Sequence, residues 1–319
     1  MTVRIAVLDD YQEVAHQYAD WGSLPGEVTF FHDAVTDRDE LVSRLEPFDV
    51  IAVMRERTPM PREVLSRLPR LRLLVTTGMR NAAIDVDAAG ELGIAVCGTG
   101  GPASPGFAAT AELTWGLVLS LARAIPAEDR QVREGGWQRT VGIGLAGRVL
   151  GLVGLGNLGG QVAAIARAFG MRVLAWSTNL TDEAAAAAGV ERVSKDELFR
   201  RSDVISVHMV LSERSRGLVS AADIAAMKST AFLVNTSRGP IVDEEALRSA
   251  LHDGRIAGAG IDVFTTEPLP ADHPWRSTPR TVLTPHLGYV TEETYEVFYP
   301  QTVEAVQAFL DGNPVRVIA

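Results

Sequence analysis

A glycine-rich turn between a strand pattern and a helix pattern constrains this chain more than any other feature. The apolar run Val149–Val153 ends in Gly154, Gly156 and Gly159, spaced G-x-G-x-x-G, and an amphipathic pattern runs on to Phe169. In this setting the glycines permit a tight turn, a close approach of the backbone to a pyrophosphate, and close packing of helix on strand. The sequence predicts a dinucleotide site; the alternative is a glycine turn of an ordinary α/β protein.

The helix after the turn supplies further candidate contacts to the cofactor. Asn157 and Leu158 stand in its first turn, where backbone N–H groups have no partner within the helix and favour phosphate. A second strand pattern, Arg172–Trp176, follows the helix. Strand, turn, helix and strand together make up the βαβ unit that the dinucleotide interpretation requires.

Composition excludes several other classes of function. The chain has 319 residues, 46% of them hydrophobic, and a net charge of −10, so we expect two domains with real cores and no nucleic-acid partner. A single cysteine, Cys97, rules out an intramolecular disulfide, and its apolar neighbours predict that it is buried. Without a signal-peptide pattern or an apolar run long enough to cross a membrane, we expect a soluble cytoplasmic protein with no membrane contact. No metal site is predicted.

Alternating strand and helix patterns predict parallel sheets covered by helices on both faces. A first unit has five short strand patterns; its helix patterns lie at about 11–20, 37–46 and 61–68. Its strands are predicted at Val3–Leu8, Val28–Phe31, Val50–Met54, Leu73–Thr76 and Ile94–Cys97.

A segment rich in glycine and proline, residues 98–106, predicts a hinge into a second unit. Two helix patterns follow it, at about 108–124 and 127–134, before the glycine turn. Beyond the turn, strands are predicted at Arg172–Trp176, Val204–His208, Ala231–Asn235, Ile256–Asp262 and Thr281–Leu283. We therefore predict a dinucleotide-binding domain over 101–287. Residues 1–100 with 288–319 form the other domain, because the helix pattern at 291–311 is expected to cross back to it.

Three polar residues follow predicted strands of the second unit. Arg238, Glu267 and His286 each come shortly after an apolar run. Ligands of such folds bind beyond the carboxyl ends of the strands, where an arginine fork suits a carboxylate and a histidine oriented by a carboxylate suits proton transfer. Singly, each has a structural alternative: a solvated loop arginine, a turn glutamate before Pro268, and a hydrogen-bonded core histidine. Together, beside a nucleotide fold, they favour catalysis.

The chain resembles the D-isomer-specific 2-hydroxyacid dehydrogenase family over nearly its whole length. The motifs that carry the resemblance are Leu145–Gly151 leading into the glycine turn, Val234–Gly239 with Val242–Glu244, Gly260–Phe264 with Glu267-Pro268, and Thr284–Gly288. The resemblance implies an α/β fold of two doubly wound parallel-sheet domains, with a Rossmann NAD(P)-binding domain inserted into a flavodoxin-like substrate domain. It also implies transfer of a hydride between NAD(P)H and the carbonyl carbon of a 2-keto acid, or the reverse from a D-2-hydroxy acid.

The resemblance assigns a role to each candidate residue. It implies that Arg238 binds the substrate carboxylate and polarises the carbonyl, and that His286, supported by Glu267, is the acid/base. Asp262 should contact the nicotinamide amide. The remaining expected cofactor contacts are Gly154, Gly156, Asn157, Leu158, Gly159, Ser177, Thr178, Asn179, His208, Met209, Val210, Thr236 and Thr110.

The chain departs from the family pattern at the coenzyme ribose. NAD-dependent members usually carry an acid at the end of the second strand, where this chain has Ser177. Losing that carboxylate removes repulsion against a 2′-phosphate, which favours NADP. However, NADP-preferring relatives usually carry an arginine next to the serine, and here that residue is Thr178. We therefore expect dual use of NAD and NADP; alternatively, Ser177 and Asn179 simply bond the ribose hydroxyls. The nearest acid is Asp182.

The expected substrate loop departs as well. Family members usually read Gly-x-Asp-Asn-Ile-Asp there, whereas this chain has an arginine for the first aspartate and two extra residues before Ile84. We expect the backbone N–H groups of the loop to reach the substrate carboxylate, with Arg80, Arg55 and Arg57 adding positive charge. The alternative is that these arginines pair with Glu56 and with surface acids. The predicted substrate contacts are Thr77, Gly78, Met79, Arg80 and Arg55.

Three functions stay open on the sequence alone: the dehydrogenase, a non-enzymatic NAD-sensing scaffold of the corepressor type, and phosphoglycerate dehydrogenase proper. The intact set of Arg238, Glu267 and His286 favours an enzyme. The family resemblance also implies a homodimer, formed through the unit from Phe107 to Gly136 with Trp137 exposed. Alternatively, Leu117, Leu121 and Trp115 of that unit fill the core of the monomer.

Overall fold

Two parallel β-sheets organise the chain. The structure, a computed structural model, describes residues 2–101 and 108–319; most of the predicted hinge lies outside these ranges. The chain divides into two compact units, one of Met1–Phe107 with Val290–Ala319 and the other of Ala108–Tyr289. The second unit is thus an insertion in the first, with boundaries a few residues from those proposed on the sequence.

The first unit contains a five-stranded sheet in the order β2-β1-β3-β4-β5, with parallel pairing throughout. This is the strand order of flavodoxin-like folds. Apolar side chains of the strands and helices form one core, in which β3 and β4 are buried along their whole length. The elements are β1 (Val3–Val7), α1 (Ala15–Tyr18), β2 (Gly26–Phe30), α2 (Arg38–Leu45), β3 (Val50–Val53), α3 (Arg62–Leu65), β4 (Leu73–Thr76), α4 (Val86–Glu91), β5 (Ala95–Gly98) and α12 (Glu292–Leu310).

The second unit contains a seven-stranded parallel sheet in the order β12-β11-β10-β9-β6-β7-β8. Counted within the unit, this is the Rossmann order 3-2-1-4-5-6 with one strand added. Separate apolar clusters cover the two faces of the sheet. The elements are α5 (Ala109–Arg123), α6 (Ile125–Arg133), β6 (Val149–Val153), α7 (Asn157–Ala168), β7 (Arg172–Trp176), α8 (Asp182–Ala187), β8 (Glu191–Arg192), α9 (Lys195–Arg201), β9 (Val204–Val207), α10 (Ala221–Ala226), β10 (Phe232–Asn235), α11 (Glu244–His252), β11 (Gly258–Ile261) and β12 (Thr281–Leu283).

The first predicted helix, at 11–20, is much shorter in the structure. Only Ala15–Tyr18 is helical, because Asp10 accepts hydrogen bonds from the backbone N–H groups of Val14 and Ala15. Asp9 and Glu13 also take left-handed φ values of 65° and 58°, which a helix excludes. These residues form a tight loop at the end of β1.

Two elements were absent from the sequence prediction. One is α4, whose N-cap Asp85 accepts a hydrogen bond from the N–H of Ala88. Ala88 and Ala89 are buried, and this burial outweighs the poor helix propensity of Gly90. The other is β8, which is too short to leave a pattern. Cys97 is fully buried, as predicted. No helix in the described ranges is long and apolar enough to span a bilayer.

Candidate active site

The glycine turn follows β6 and needs its glycines for space. Gly154 has a φ of 103°, and a Cβ there would collide with the carbonyl oxygen of His208. A Cβ at Gly159 would collide with the carbonyl oxygen of Gly154, whereas one at Gly156 would meet no atom within 4 Å. The first and third glycines therefore allow close packing, and the second leaves open space for a ligand.

The start of α7 fits a pyrophosphate. Gly156 is its N-cap and has no side chain that could cap the N–H groups of the first turn. Gly156, Asn157 and Leu158 are exposed around this helix end. An exposed helix N-terminus beside an open glycine is the arrangement that holds dinucleotide phosphates, so the residues present fit the nicotinamide coenzyme.

The end of β7 lies directly beside this turn. The N–H of Gly154 donates to the carbonyl oxygen of Trp176 at 2.8 Å, so Ser177 follows at the level of the glycines. Ser177 is partly buried, while Thr178 and Asn179 are exposed. The nearest acid, Asp182, opens α8 and forms an ion pair with Arg192.

The end of β9 brings His208 against the glycine turn. Its Nε2 lies 2.9 Å from Oγ of Ser206, and its Nδ1 is buried without a partner among the described residues. Burial lowers the pKa of His208 from 6.5 to about 4, so the ring is neutral at pH 7. The next two residues differ from each other: the N–H of Met209 donates to Oγ of Ser237, and the side chain of Val210 is 83% exposed.

Arg238 follows β10 in a loop that is fixed by Asn235. The side chain of Asn235 accepts from the N–H of Ser237 at 3.0 Å and donates to the carbonyl oxygen of Arg238 at 3.0 Å. Arg238 is partly buried, and its Nη1 donates to the carbonyl oxygen of Ser237 at 2.7 Å. The backbone that carries the guanidinium is therefore held rigidly at the carboxyl end of the sheet.

His286 and Glu267 form a hydrogen-bonded pair. Nδ1 of His286 lies 2.6 Å from Oε2 of Glu267, and both side chains are largely buried, at 14% and 26% exposure. The other carboxylate oxygen, Oε1, accepts from the N–H of Phe264 at 2.8 Å. With Nδ1 engaged, Nε2 is the ring nitrogen left for proton exchange with a ligand. The two residues come together although they are 19 positions apart in sequence.

Asp262 holds the loop that carries His286. Its Oδ1 accepts from the hydroxyl of Thr284 at 2.6 Å and from the N–H of Leu287 at 2.8 Å, and its Oδ2 accepts from the N–H of Gly288 at 3.0 Å. Asp262 has no exposed surface, and burial raises its pKa. The loop therefore encloses the carboxylate, and the expected contact of Asp262 with the nicotinamide amide stays a prediction.

Two predicted threonines also serve this region. Oγ1 of Thr110 donates to the carbonyl oxygen of Gly288 at 2.7 Å, which ties α5 to the His286 loop. Thr236 is buried, and its hydroxyl lies 2.9 Å from that of Thr114. Sequence reasoning missed the part played by Thr284 and by Tyr289, whose ring packs edge-on to His286 at 5.5 Å; the motif around His286 was the available signal.

In the first unit, the loops after β3 and β4 are joined to each other. The N–H of Arg55 donates to the hydroxyl of Thr77 at 2.9 Å, and its Nη1 donates to the carbonyl oxygen of Thr77 at 3.2 Å. Gly78 has a φ of 85°, and its N–H donates to the hydroxyl of Thr99 at 2.8 Å. The N–H of Gly78 is therefore engaged within the unit, whereas Met79 and Arg80 are exposed; the expected contacts of the loop N–H groups with the substrate stay a prediction.

Arg55 and Arg57, on either side of Glu56, have further partners in the first unit. Nε of Arg55 lies 3.7 Å from a carboxylate oxygen of Glu56, as the structural alternative for these arginines predicted. Arg57 donates to the carbonyl oxygen of Asp9 at 2.7 Å and stacks over the ring of Tyr11. Asp9 is buried, and burial raises its pKa.

The buried neutral state of His208 predicts a pH effect on stability. Below pH 6.5 the unfolded chain binds a proton there, and the folded chain does so only near pH 4, so stability falls as pH drops through this window. We expect His208→Gln to lose less stability than the wild type between pH 7.5 and 5, by about 2 kcal/mol. Calorimetric unfolding at both pH values measures this difference.

The control is His252→Gln, which removes an exposed histidine of the same unit. It should keep the acid sensitivity of the wild type. Equal acid sensitivity in the wild type and His208→Gln would contradict the buried, neutral state of His208.

Comparison with known proteins identifies the family. The profile described as "D-isomer specific 2-hydroxyacid dehydrogenase, NAD binding domain" matches residues 115–288. A glyoxylate reductase of Aeropyrum pernix is 39% identical over 260 residues, which is 79% of this chain and 77% of that protein. A hydroxypyruvate reductase of Blautia hydrogenotrophica is 33% identical over 329 residues, 99% of each chain.

Longer relatives and solved structures indicate the same family. A D-3-phosphoglycerate dehydrogenase of Methanocaldococcus jannaschii is 37% identical over 86% of this chain, which spans only 52% of that protein. The crystal structure of a phosphoglycerate oxidoreductase from Vibrio cholerae superposes with a TM-score of 0.90 at 36% identity, covering 98% of this chain and 100% of that one. The chain belongs to the D-isomer-specific 2-hydroxyacid dehydrogenase family, and it is an NAD-dependent oxidoreductase that acts on the CH–OH group of 2-hydroxy acids.

Proposed function

We propose that this protein reduces small 2-keto acids such as glyoxylate and hydroxypyruvate to 2-hydroxy acids, with the D configuration wherever the product is chiral. The observation that carries the proposal is the His286–Glu267 pair, 2.6 Å apart, at the carboxyl edge of the nucleotide sheet. A histidine held at Nδ1 by a carboxylate presents Nε2 as a proton donor. Relatives named glyoxylate and hydroxypyruvate reductases support this substrate class.

In this mechanism each residue has one task. Arg238 binds the substrate carboxylate through its guanidinium fork and orients the neighbouring carbonyl. When bound, the reduced coenzyme supplies the hydride to the carbonyl carbon. His286 donates the proton on Nε2 to the carbonyl oxygen, so the C=O bond becomes CH–OH. Glu267 keeps Nδ1–H in place and stabilises the charged ring that precedes transfer.

The expected substrate contacts of Thr77, Gly78, Met79, Arg80 and Arg55 stay proposals. The hydrogen bonds of Arg55 to Thr77 and of Arg57 to Asp9 favour a small, unphosphorylated keto acid over phosphoglycerate, because both guanidinium groups already have acceptors.

Removing the acid/base tests the mechanism. His286→Ala should lose roughly 2 to 4 orders of magnitude in kcat with glyoxylate, because the proton must come from water instead. Coenzyme affinity, measured by fluorescence titration, should stay unchanged. The control His252→Ala should turn over as the wild type does; near-full turnover by His286→Ala at neutral pH would reject the assignment.

We also propose that the enzyme uses both NAD(H) and NADP(H), with NADP(H) used comparably or somewhat better. Ser177 directly follows β7, beside the glycine turn, and its side chain carries no charge to repel a 2′-phosphate. The nearest acid, Asp182, is paired with Arg192. A carboxylate at position 177 would accept from the ribose hydroxyls and disfavour NADP.

Ser177→Asp should shift the ratio of catalytic efficiencies towards NAD by at least roughly tenfold, or about 1.4 kcal/mol. The measurement is kcat/KM for each coenzyme with one keto acid. Ser229→Asp adds the same charge at an exposed site of this unit and should leave the ratio alone. A wild type that prefers NAD a thousandfold would refute dual use.

A homodimer is the third part of the proposal, together with a cytoplasmic location. Trp115 and Leu117 fill the core of the monomer, as predicted by the alternative to a dimer interface at these residues. The next helix, α6, instead exposes Ile125 and Val132 at 50% and 55%, and Trp137 is 73% exposed. These three side chains line a groove of about 640 Å³. Exposed apolar surface of this kind suits a second copy of the chain.

Light scattering at micromolar concentration should give about twice the chain mass of 34.3 kDa. Val132→Asp should shift the mass towards the monomer, because it replaces one of the exposed apolar side chains of the groove with a charge. Leu92→Asp, a similarly exposed apolar position in the first unit, is the control. A monomer mass for the wild type would exclude the dimer.

A further inference from the structure

One arginine on the edge of the nucleotide sheet shares a face with Ser177. The strands β7 and β8 are parallel, and Ala175 is paired with Arg192. Paired residues of neighbouring strands direct their side chains to the same face, and residues two apart along a strand share that face. Ser177, the first residue beyond β7, stands two residues after Ala175, so the alternation of the strand, continued by one residue, places Ser177 on the face of Arg192.

That face also carries the glycine turn. Ala175 belongs to the apolar cluster that contains Val162 and Ala163 of α7. Trp176 and Val193, the residues that follow Ala175 and Arg192, pack in the cluster on the opposite face. The helix whose N-terminus fits the pyrophosphate therefore lies on the same face as Arg192.

The distance suits a phosphate bound between the two residues. Neighbouring strands lie about 4.8 Å apart and rise about 3.3 Å per residue, which puts the Cα atoms of Arg192 and Ser177 about 8 Å apart. An arginine side chain extends over most of that distance. A phosphate on the 2′-oxygen of a ribose that Ser177 contacts fills the remainder.

The ion pair between Arg192 and Asp182 is weak. Nη1 of Arg192 lies 3.2 Å from Oδ1 of Asp182, and the two side chains are 47% and 79% exposed. Glu183 is a second acid within electrostatic range. An exposed ion pair of this kind contributes little to stability, because water and salt screen it. Exchanging Asp182 for a doubly charged phosphate, which a guanidinium binds bidentately, therefore costs little.

We propose that Arg192 binds the 2′-phosphate of NADP(H). When no phosphate is present, Arg192 forms its ion pair with Asp182 instead. The inference rests on the coenzyme use proposed above and assigns its charged determinant to a neighbouring strand. Arg192 supplies from β8 the positive charge that Thr178 does not provide beside Ser177. Asp182 competes for the same guanidinium and so limits the preference for NADP.

Calorimetric titration with two nucleotides isolates the phosphate without any turnover. Adenosine 2′,5′-bisphosphate and 5′-AMP differ only in the 2′-phosphate, and the wild type should bind the bisphosphate more tightly. Arg192→Ala should weaken bisphosphate binding by about tenfold and leave 5′-AMP within about twofold. Arg200→Ala, which removes an equally charged, exposed arginine paired with Asp196 at 2.9 Å, should change neither.

Asp182→Asn provides the opposite test. It removes the competing carboxylate, so it should strengthen bisphosphate binding several-fold, and this gain should vanish when Arg192→Ala is added. A ratio of the two affinities that is the same in Arg192→Ala and the wild type would overturn the inference. So would a wild type that binds both nucleotides equally.

Turnover of a keto acid with NADH, measured separately, distinguishes this failure from failure of the proposed function. Normal NADH turnover without any 2′-phosphate preference overturns the role of Arg192 alone. Absence of keto-acid reduction with either coenzyme rejects the proposed reaction, while the nucleotide affinities still decide the role of Arg192.

Discussion

The site depends on the buried carboxylate of Asp262. Three donors converge on it, namely the hydroxyl of Thr284 and the N–H groups of Leu287 and Gly288. A carboxylate without solvent is costly unless its oxygens are hydrogen-bonded, so these contacts and the loop conformation require each other. Within the loop, His286 has a φ of 55°, which is uncommon for a residue other than glycine or asparagine. Asp262 thereby fixes the direction in which the imidazole leaves the backbone.

Parallel pairing explains why residues so distant in sequence meet. In a parallel sheet every strand ends at the same edge, so the loops after β6, β7, β9, β10, β11 and β12 lie side by side. The glycine turn, Ser177, His208, Arg238 and Asp262 each belong to one of these loops. The glycine turn and the hydrogen-bonded pair of His286 and Glu267 thus share one edge of one sheet.

Much of this arrangement could be predicted from the sequence. The glycine spacing located the nucleotide unit, because a Cβ at Gly154 or Gly159 would collide with a backbone oxygen in this tight turn. Strands such as Leu73–Thr76 and Arg172–Trp176 match their apolar runs, because buried parallel strands are apolar throughout. The resemblance to the family brought His286 and Glu267 together as a hypothesis.

Other features depend on contacts that no local pattern encodes. Asp10 shortens α1 through hydrogen bonds to the backbone, and Asp262 bonds a loop more than twenty residues away in sequence. The pairing of Ala175 with Arg192 sets the face on which that arginine lies. This pairing is known only once the register between β7 and β8 is known.

A crystal structure of the ternary complex with NADH and oxamate, an unreactive keto-acid analogue, provides the sharpest test. The proposed mechanism requires that the held imidazole of His286 meets the substrate carbonyl while Arg238 meets the carboxylate. It predicts Nε2 of His286 at about 2.6–3.2 Å from the carbonyl oxygen of oxamate, with the carboxylate on the guanidinium of Arg238. Oxamate bound with its carbonyl oxygen away from His286, or with its carboxylate away from Arg238, would contradict it.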